Sequence, residues 1–206
     1  QSDLWVFGDG PIDPRGVARL TLGVRGIAGF RLTVYGPATS LHSGHYGNVA
    51  PNPAARLAAL ISSMRTPDGC ITIDGLVTPA PTEAQLALAR EAFDTPGMLA
   101  GAGIAVAESG LDYGTSVLRP ALNVTQLLYG GTGPQRNAID PEASAGPDLR
   151  LTPGMSVAQS QAAIEAHVRA QGYVLLDRAP TAAERLAHPR LARFEWSGDG
   201  YPAAVS

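Results

Sequence analysis

Between residues 25 and 35 the apolar side chains Phe30, Leu32 and Val34 alternate with Gly29, Arg31, Thr33 and Tyr35. A period of two predicts a strand with one buried face. Gly36-Pro37 stops it, and a stretch rich in Ser, His, Gly and Asn runs over residues 38–52 until Pro53, a residue suited to a helix's first turn. Leu57, Leu60, Ile61 and Met64 then recur at helical spacing as one apolar stripe. Thr66-Pro67-Asp68-Gly69 turns the chain into a short strand-like run over residues 70–73. Two longer strands are predicted over residues 122–129 and 142–151, with Pro147 marking a weak point or a bulge in the second. Ser156-x-x-Gln159 opens a helix whose buried side carries Ala163, Ile164 and Val168 and leaves His167 on the polar side. Gly172 ends that helix, residues 173–176 form a last strand, and the chain reads as loop from Asp177 onward, with Pro180, Pro189 and Pro202.

Residues 74–118 follow a different rhythm. Pro79, Pro81 and Pro96 interrupt them, Thr82-x-x-Gln85 caps a helix reaching about residue 93, and residues 98–108 read as a second helix of small side chains. Set aside as an insertion, this segment leaves the order strand, helix, strand, strand, helix, strand. The predicted fold is therefore α+β: a ferredoxin-like βαββαβ arrangement with a four-stranded antiparallel sheet, two helices on one face and a helical insertion at about residues 74–118. Exposed sheet edges and an uncovered face are commonly removed by dimerisation.

Composition narrows the function. The 206 residues are 45% hydrophobic, enough to bury a core. The 24 glycines and 17 prolines make up about a fifth of the chain, where roughly 12% is usual, so many turns are expected. Fifteen Lys and Arg against 18 acidic residues leave a net charge of -3, with no positive excess for nucleic acid or an anionic membrane surface. No apolar run approaches the roughly 18 residues of a membrane span, and the chain is expected to be soluble. Cys70 is the single cysteine, so neither an internal disulfide nor a cysteine-cluster metal site is available.

The densest chemistry lies in Leu41-His42-Ser43-Gly44-His45-Tyr46-Gly47-Asn48, within a loop between a strand and a helix. His42 and His45 are two imidazoles without a third ligand, an incomplete zinc site. They are read either as turn residues or, for His42, as a donor of an N–H hydrogen bond to an oxyanion. Ser43 lacks the acid partner and the strained turn of a hydrolase nucleophile. Arg150 is either a solvent-facing strand residue or a guanidinium fork for a carboxylate. Asn137 is a turn former or a polar substrate contact. Asp9, after the apolar run Leu4-Trp5-Val6-Phe7, is a turn residue or a metal ligand whose companions lie elsewhere. Gly130-Gly131-Thr132-Gly133 lacks the Lys-Ser/Thr of a phosphate loop and is read as a turn, while His188, before a proline, is read as a surface residue.

Three segments together resemble a known family: Gly23-Val24-Arg25-Gly26, Leu41-His42-Ser43-Gly44-His45-Tyr46-Gly47 with Pro51-Asn52-Pro53, and Arg150-Leu151-Thr152-Pro153-Gly154. They are similar to the lid, or dimerisation, domain of M20-family metallopeptidases, in particular the dipeptidase and carnosinase-like branch, over about residues 3–178. Acetylornithine deacetylase and succinyl-diaminopimelate desuccinylase are members of the same superfamily. The resemblance implies a zinc-dependent enzyme acting on dipeptides or N-acyl amino acids. Its catalytic domain would hold two zinc ions, with the lid inserted into it and lids paired in a homodimer through sheet and helices. It implies that His42 reaches into the partner subunit's active site to stabilise the tetrahedral intermediate. It further implies that Arg150 binds the substrate carboxylate, that Asn137 lies near the substrate, and that Asp9, fourteen residues before Gly23, is a zinc ligand.

The family's His-x-Asp metal motif, its Glu-Glu pair and its final His ligand have no counterpart here. Residues 1–11 are accordingly read as a stub of the catalytic domain, 12–177 as the lid, and 178–206 as a stub returning toward that domain. Such a fragment should be inactive alone and carry no zinc, and its compartment is read as cytoplasmic. The competing reading is a stand-alone ferredoxin-like module for ligand binding or assembly with no catalytic parent. Fold alone does not separate the two.

Overall fold

The alternation that predicts the first long strand is realised in a computed structural model describing residues 16, 23–76, 78–131, 133–134 and 136–205. A two-residue strand β1 (Gly23–Val24) leads into β2 (Gly26–Tyr35), which buries Ala28, Phe30, Leu32 and Val34 on one face. After β3 (Leu41–His42) and the single turn α1 (Ser43–Tyr46) comes α2 (Pro53–Met64). Its start follows from local chemistry: the Asn52 side chain accepts the backbone N–H groups of Ala54 and Ala55, and Pro53 occupies the first turn, where no N–H partner is needed. Leu57, Leu60 and Met64 are buried against the sheet, with Ile61 packed beside them.

The insertion holds three short helices, α3 (Glu83–Ala92), α4 (Thr95–Gly101) and α5 (Tyr113–Val117). The Thr82–Gln85 capping box forms as predicted. The helix expected over residues 98–108 does not. Asp94 caps α4, with Pro96 in its first turn, and the chain leaves the helix at Ala102, followed by Gly103 at a φ of 68°. The run 70–73 likewise makes only an isolated bridge, Arg65 to Ile71.

Strands β4 (Ala121–Leu128), β5 (Ala138–Ile139) and β6 (Glu142–Leu151) follow, then α6 (Val157–Ala170), capped by Ser156, and β7 (Val174–Leu176). The β4–β6 register slips between Val124 and Gln126, opposite Pro147 and Gly146, and the β2–β6 pairing also lapses there. A proline with no N–H to give is accommodated inside a central strand because both ladders open around it.

The principal correction concerns the last thirty residues, expected as loop. They form α7 (Ala182–Ala187), β8 (Leu191–Trp196) and β9 (Ala204–Val205). Strand β8 enters the main sheet between β2 and β7, placing Ala192, Phe194 and Trp196 opposite Val34, Leu32 and Phe30. The sheet thus has five strands in the order β4-β6-β2-β8-β7 and is mixed, because β7 and β8 run parallel. The four-stranded antiparallel sheet of the sequence reading is replaced, and its ferredoxin-like topology is not established. Helix α7 carries its own capping box, Thr181 with Glu184. Hydrogen bonds from Arg178, then from Thr181, hold the Glu184 carboxyl down at about 2.

Helices α2 and α6 share one core with the sheet, centred on Leu32, Met64, Leu149, Leu151 and Ile164. They are cross-linked by a second departure from expectation. His167, predicted on the polar side, is 8% exposed, with Nε2 2.9 Å from Ser63 Oγ. Helix α6 buries Ser160, Ala163, Ile164, His167 and Val168, and at helical spacing Ser160 and His167 fall within the arc spanned by Ala163, Ile164 and Val168. Strands β1 and β9 pair, Gly23 with Val205 and Val24 with Ala204, so the two ends of the described chain lie side by side.

Candidate functional site

The loop carrying His42 is fixed by a buried carboxylate. Asp140 is 9% exposed and accepts hydrogen bonds from Ser40 Oγ at 2.5 Å and from Arg136 Nη2 at 2.9 and 3.0 Å. Its own backbone N–H donates to Tyr129 Oη at 3.2 Å. Charge-assisted bonds of this kind are about twice as strong as neutral ones, so Asp140 pins the loop after β2 to the end of β4. On that platform β3 pairs with β5, His42 opposite Ala138, and the Ser43 N–H donates to the Asn137 carbonyl at 3.0 Å. Two predicted site residues separated by 95 positions in sequence are therefore backbone neighbours.

The His-Ser-Gly run now has a physical reason. His42 caps α1, its Nδ1 accepting the Gly44 N–H at 3.1 Å. A Cβ on Gly44 would stand 3.0 to 3.1 Å from Cε1 and Nδ1 of that ring, and a Cβ on Gly47 would meet the Ser43 carbonyl at 2.8 Å. Gly47 is needed for the turn to close, and a side chain at Gly44 would crowd the imidazole. With Nδ1 accepting, the neutral ring carries its proton on Nε2, which leaves an N–H donor on an exposed side chain. His45 stacks on it obliquely, ring centres 4.8 Å apart.

Arg150 sits elsewhere. It lies on β6, on the face turned away from the helices, half-buried, with Nη2 donating to Asp148 at 3.1 Å. The other oxygen of Asp148 accepts from Asn123 at 3.1 Å. The sequence reading gave Arg25 no role of its own, but it belongs to this cluster. Burial, and next the positive charge of Arg150, push the Arg25 guanidinium below its ordinary value. Glu142, at the His42 end of β6, and Arg150 are eight residues apart, about 27 Å along a strand. Asp9 lies outside the described residues. Among the described residues no group of three or more His, Cys, Asp or Glu is placed to hold a metal ion, and no helix is long and apolar enough to cross a membrane.

Residues 22–174 match the family model of the peptidase dimerisation domain, M20_dimer. The chain belongs to that family. Cys-Gly metallodipeptidase dug1 of Schizosaccharomyces pombe is 41% identical over 58 residues, 28% of this chain and 12% of that protein. Cysteinylglycine-S-conjugate dipeptidase of Corynebacterium striatum is 28% identical over 172 residues, 82% of this chain and 37% of that protein. The solved structure of the dipeptidase Dug1p from Saccharomyces cerevisiae superposes with a TM-score of 0.70 at 22% identity, covering 90% of this chain and 38% of that one. Human carnosine dipeptidase 1 superposes with a TM-score of 0.70 at 18% identity, again over 90% of this chain and 38% of the other. These superpositions establish a shared fold, and this M20 dimerisation domain spans little more than a third of either solved chain.

Proposed function

We propose that the chain is the lid and dimerisation domain of a zinc-dependent M20-type metallopeptidase or amidohydrolase acting on dipeptides or N-acyl amino acids. The names of the relatives, a metallodipeptidase and a conjugate dipeptidase, favour this class. In this reading residues 1–11 and the end of the chain connect to the catalytic domain, a reading supported by the β1–β9 pairing that sets Gly23 beside Val205. The described residues do not fit the two zinc ions assigned by resemblance, so metal chemistry belongs to the catalytic domain.

His42 donates its Nε2 proton to the developing oxyanion of a site in the partner subunit, with Asn137 beside it. Arg150 grips the substrate carboxylate in its own subunit. The observation that carries this reading is the fixed, exposed imidazole, which stands at the Glu142 end of β6, while Arg150 lies eight residues, or about 27 Å of strand, further along from Glu142. With the two residues toward opposite ends of that strand, a dipeptide-sized substrate meets both when they come from different protomers. The dimer edge is β4, whose exposed Leu127 and Leu128, with Tyr129 just beyond, border an apolar trough of about 490 Å³ shared with Leu57 and Ile61 of α2. Tyr129 is the residue hydrogen-bonded to the platform under His42, so the imidazole stands next to that edge. The competing edge, β7, is three residues long.

The test is subunit complementation in the full-length protein. His42→Ala and Arg150→Ala homodimers should each be impaired, while an equal mixture should regain about a quarter of native activity, because each mixed dimer holds one site with both groups intact. A mixture as inactive as its parents would defeat the assignment of the two residues to opposite subunits. The chain by itself is expected to leave dipeptides uncleaved.

A further inference from the structure

Where the insertion arches over the turn after α2 and the start of β4, it encloses a cleft of about 730 Å³. That is the size of a pocket for a small organic molecule. Its wall is largely apolar, with Ile71, Leu99, Ile104, Val106 and Leu118 among the lining residues, and Ile104 and Val106 are left 46% and 74% exposed. Five charged residues reach it, and three of them are arginines. The acids are already engaged. Glu108 is paired with Arg65 at 2.7 Å, and Asp68 accepts hydrogen bonds from Thr66 and Cys70.

Arg25 differs from the other two cations. Arg65 has Glu108, and Arg119 is exposed to solvent, which makes it a weak anchor. Arg25 is half-buried and makes no ion pair among the described residues. Asp148, the carboxylate whose charge favours it, is already bonded to Arg150 and Asn123. Burial and the neighbouring guanidinium both oppose its charge. An incoming anion would relieve both costs at once, and a planar fork suits a carboxylate.

We propose that this cleft binds a small organic carboxylate with an apolar body, Arg25 holding the carboxylate and the insertion's wall covering the body. The proposal rests on the cleft alone and not on the reaction proposed above.

The test titrates the 206-residue chain with phenylbutyrate and, separately, with phenylbutyramide and acetate, following the methyl resonances of Ile, Leu and Val by two-dimensional NMR. Phenylbutyrate should saturate in the millimolar range or below and shift the methyls of Ile104 and Leu118. The amide and acetate should each bind at least about tenfold more weakly, and Arg25→Gln should weaken phenylbutyrate by about 10-fold to 100-fold, the worth of one charge-assisted contact. Ile104→Asp, at an exposed position that folding tolerates, should weaken it as well. The proposal is overturned if the amide binds as tightly as the acid. Native affinity in both variants, shifts confined to other methyls, or no shift in a chain whose spectrum is that of the folded protein would overturn it equally.

Discussion

The two ends of the main sheet solve different problems with different means. The His42 end is held by backbone pairing and one buried carboxylate, and it presents an exposed imidazole whose ring is oriented from within its own turn. The Arg150 end is held by side chains from distant segments and concentrates cations that, among the described residues, only partly find carboxylates. An orienting role needs little burial, because a short turn closed at Gly47 and capped by the imidazole suffices. Charge recognition needs burial, because a guanidinium in open water discriminates poorly. Helix α2 joins the ends: its cap Asn52 closes the His42 loop, and its last turn carries Ser63 and leads to Arg65 at the cleft.

If this division is right, the largest effect comes from removing the imidazole. In the full-length protein His42→Ala should lower kcat by about 100-fold to 1,000-fold, the usual cost of one oxyanion donor. The thermal midpoint should fall by at most a few degrees, because the side chain is exposed and its removal gives up only the cap bond from Gly44. A variant that loses activity and stability together would show that His42 supports the fold instead. Arg150→Ala should cost about 10-fold to 100-fold in kcat/KM on substrates with a free carboxylate. Esterified substrates should be affected far less, and equal losses on both would remove the carboxylate grip.

Asp140→Asn separates platform from chemistry. It keeps the shape but gives up charge-assisted bonds to Ser40 and Arg136, and should destabilise the domain by about 1 to 2 kcal/mol. Amide exchange should rise at Ser43, whose N–H is bonded to Asn137, and stay unchanged at the Arg150 ladder. Uniform loosening across the sheet would mean that the two ends are not independent.

What could be read from the sequence follows the same division. β2, β6, α2 and α6 are legible because each buries one face over ten or more residues, so periodicity survives local noise. β8 is not, although Ala192, Phe194 and Trp196 alternate with Arg193 and Glu195. Pro189 and Pro202 bracket it, and its place in the sheet is decided by β2, some 160 residues earlier in the chain. His42, Asn137 and Arg150 could be named one by one from a family resemblance. Their arrangement could not. The adjacency of His42 and Asn137 depends on two-residue strands held by a Ser40–Asp140 contact 100 residues long in sequence, and no local pattern encodes such a contact. The role of Arg25 is hidden in sequence for the same reason, since it depends on the cleft it lines and on the nearby charge of Arg150.

The smallest expected effect is a pH dependence at the α2–α6 crossing. Ser63 Oγ donates to the Leu60 carbonyl at 2.7 Å, so the bond between Ser63 and His167 is donated by the imidazole Nε2–H. Burial pushes the His167 imidazole below its ordinary value, and the charge of Asp74 offsets this only in part. As pH falls through about 6.5 the unfolded chain therefore takes up a proton before the folded one. Stability should decline from there down to the lower folded value and return on raising the pH. His167→Gln keeps an N–H donor without a titrating group, and urea midpoints measured between pH 5 and 8 should vary less in this variant than in the native chain. Because the Thr72 hydroxyl donates to the Ser63 carbonyl and the Thr72 amide to the adjacent Met64 carbonyl, the protection factor of the Thr72 amide should fall in acid while that of Ser43 is unaffected. Equal acid sensitivity at Thr72 and Ser43 would show that α2 transmits the disturbance from the cleft to the His42 loop, and the two ends would then have to be treated as one coupled unit.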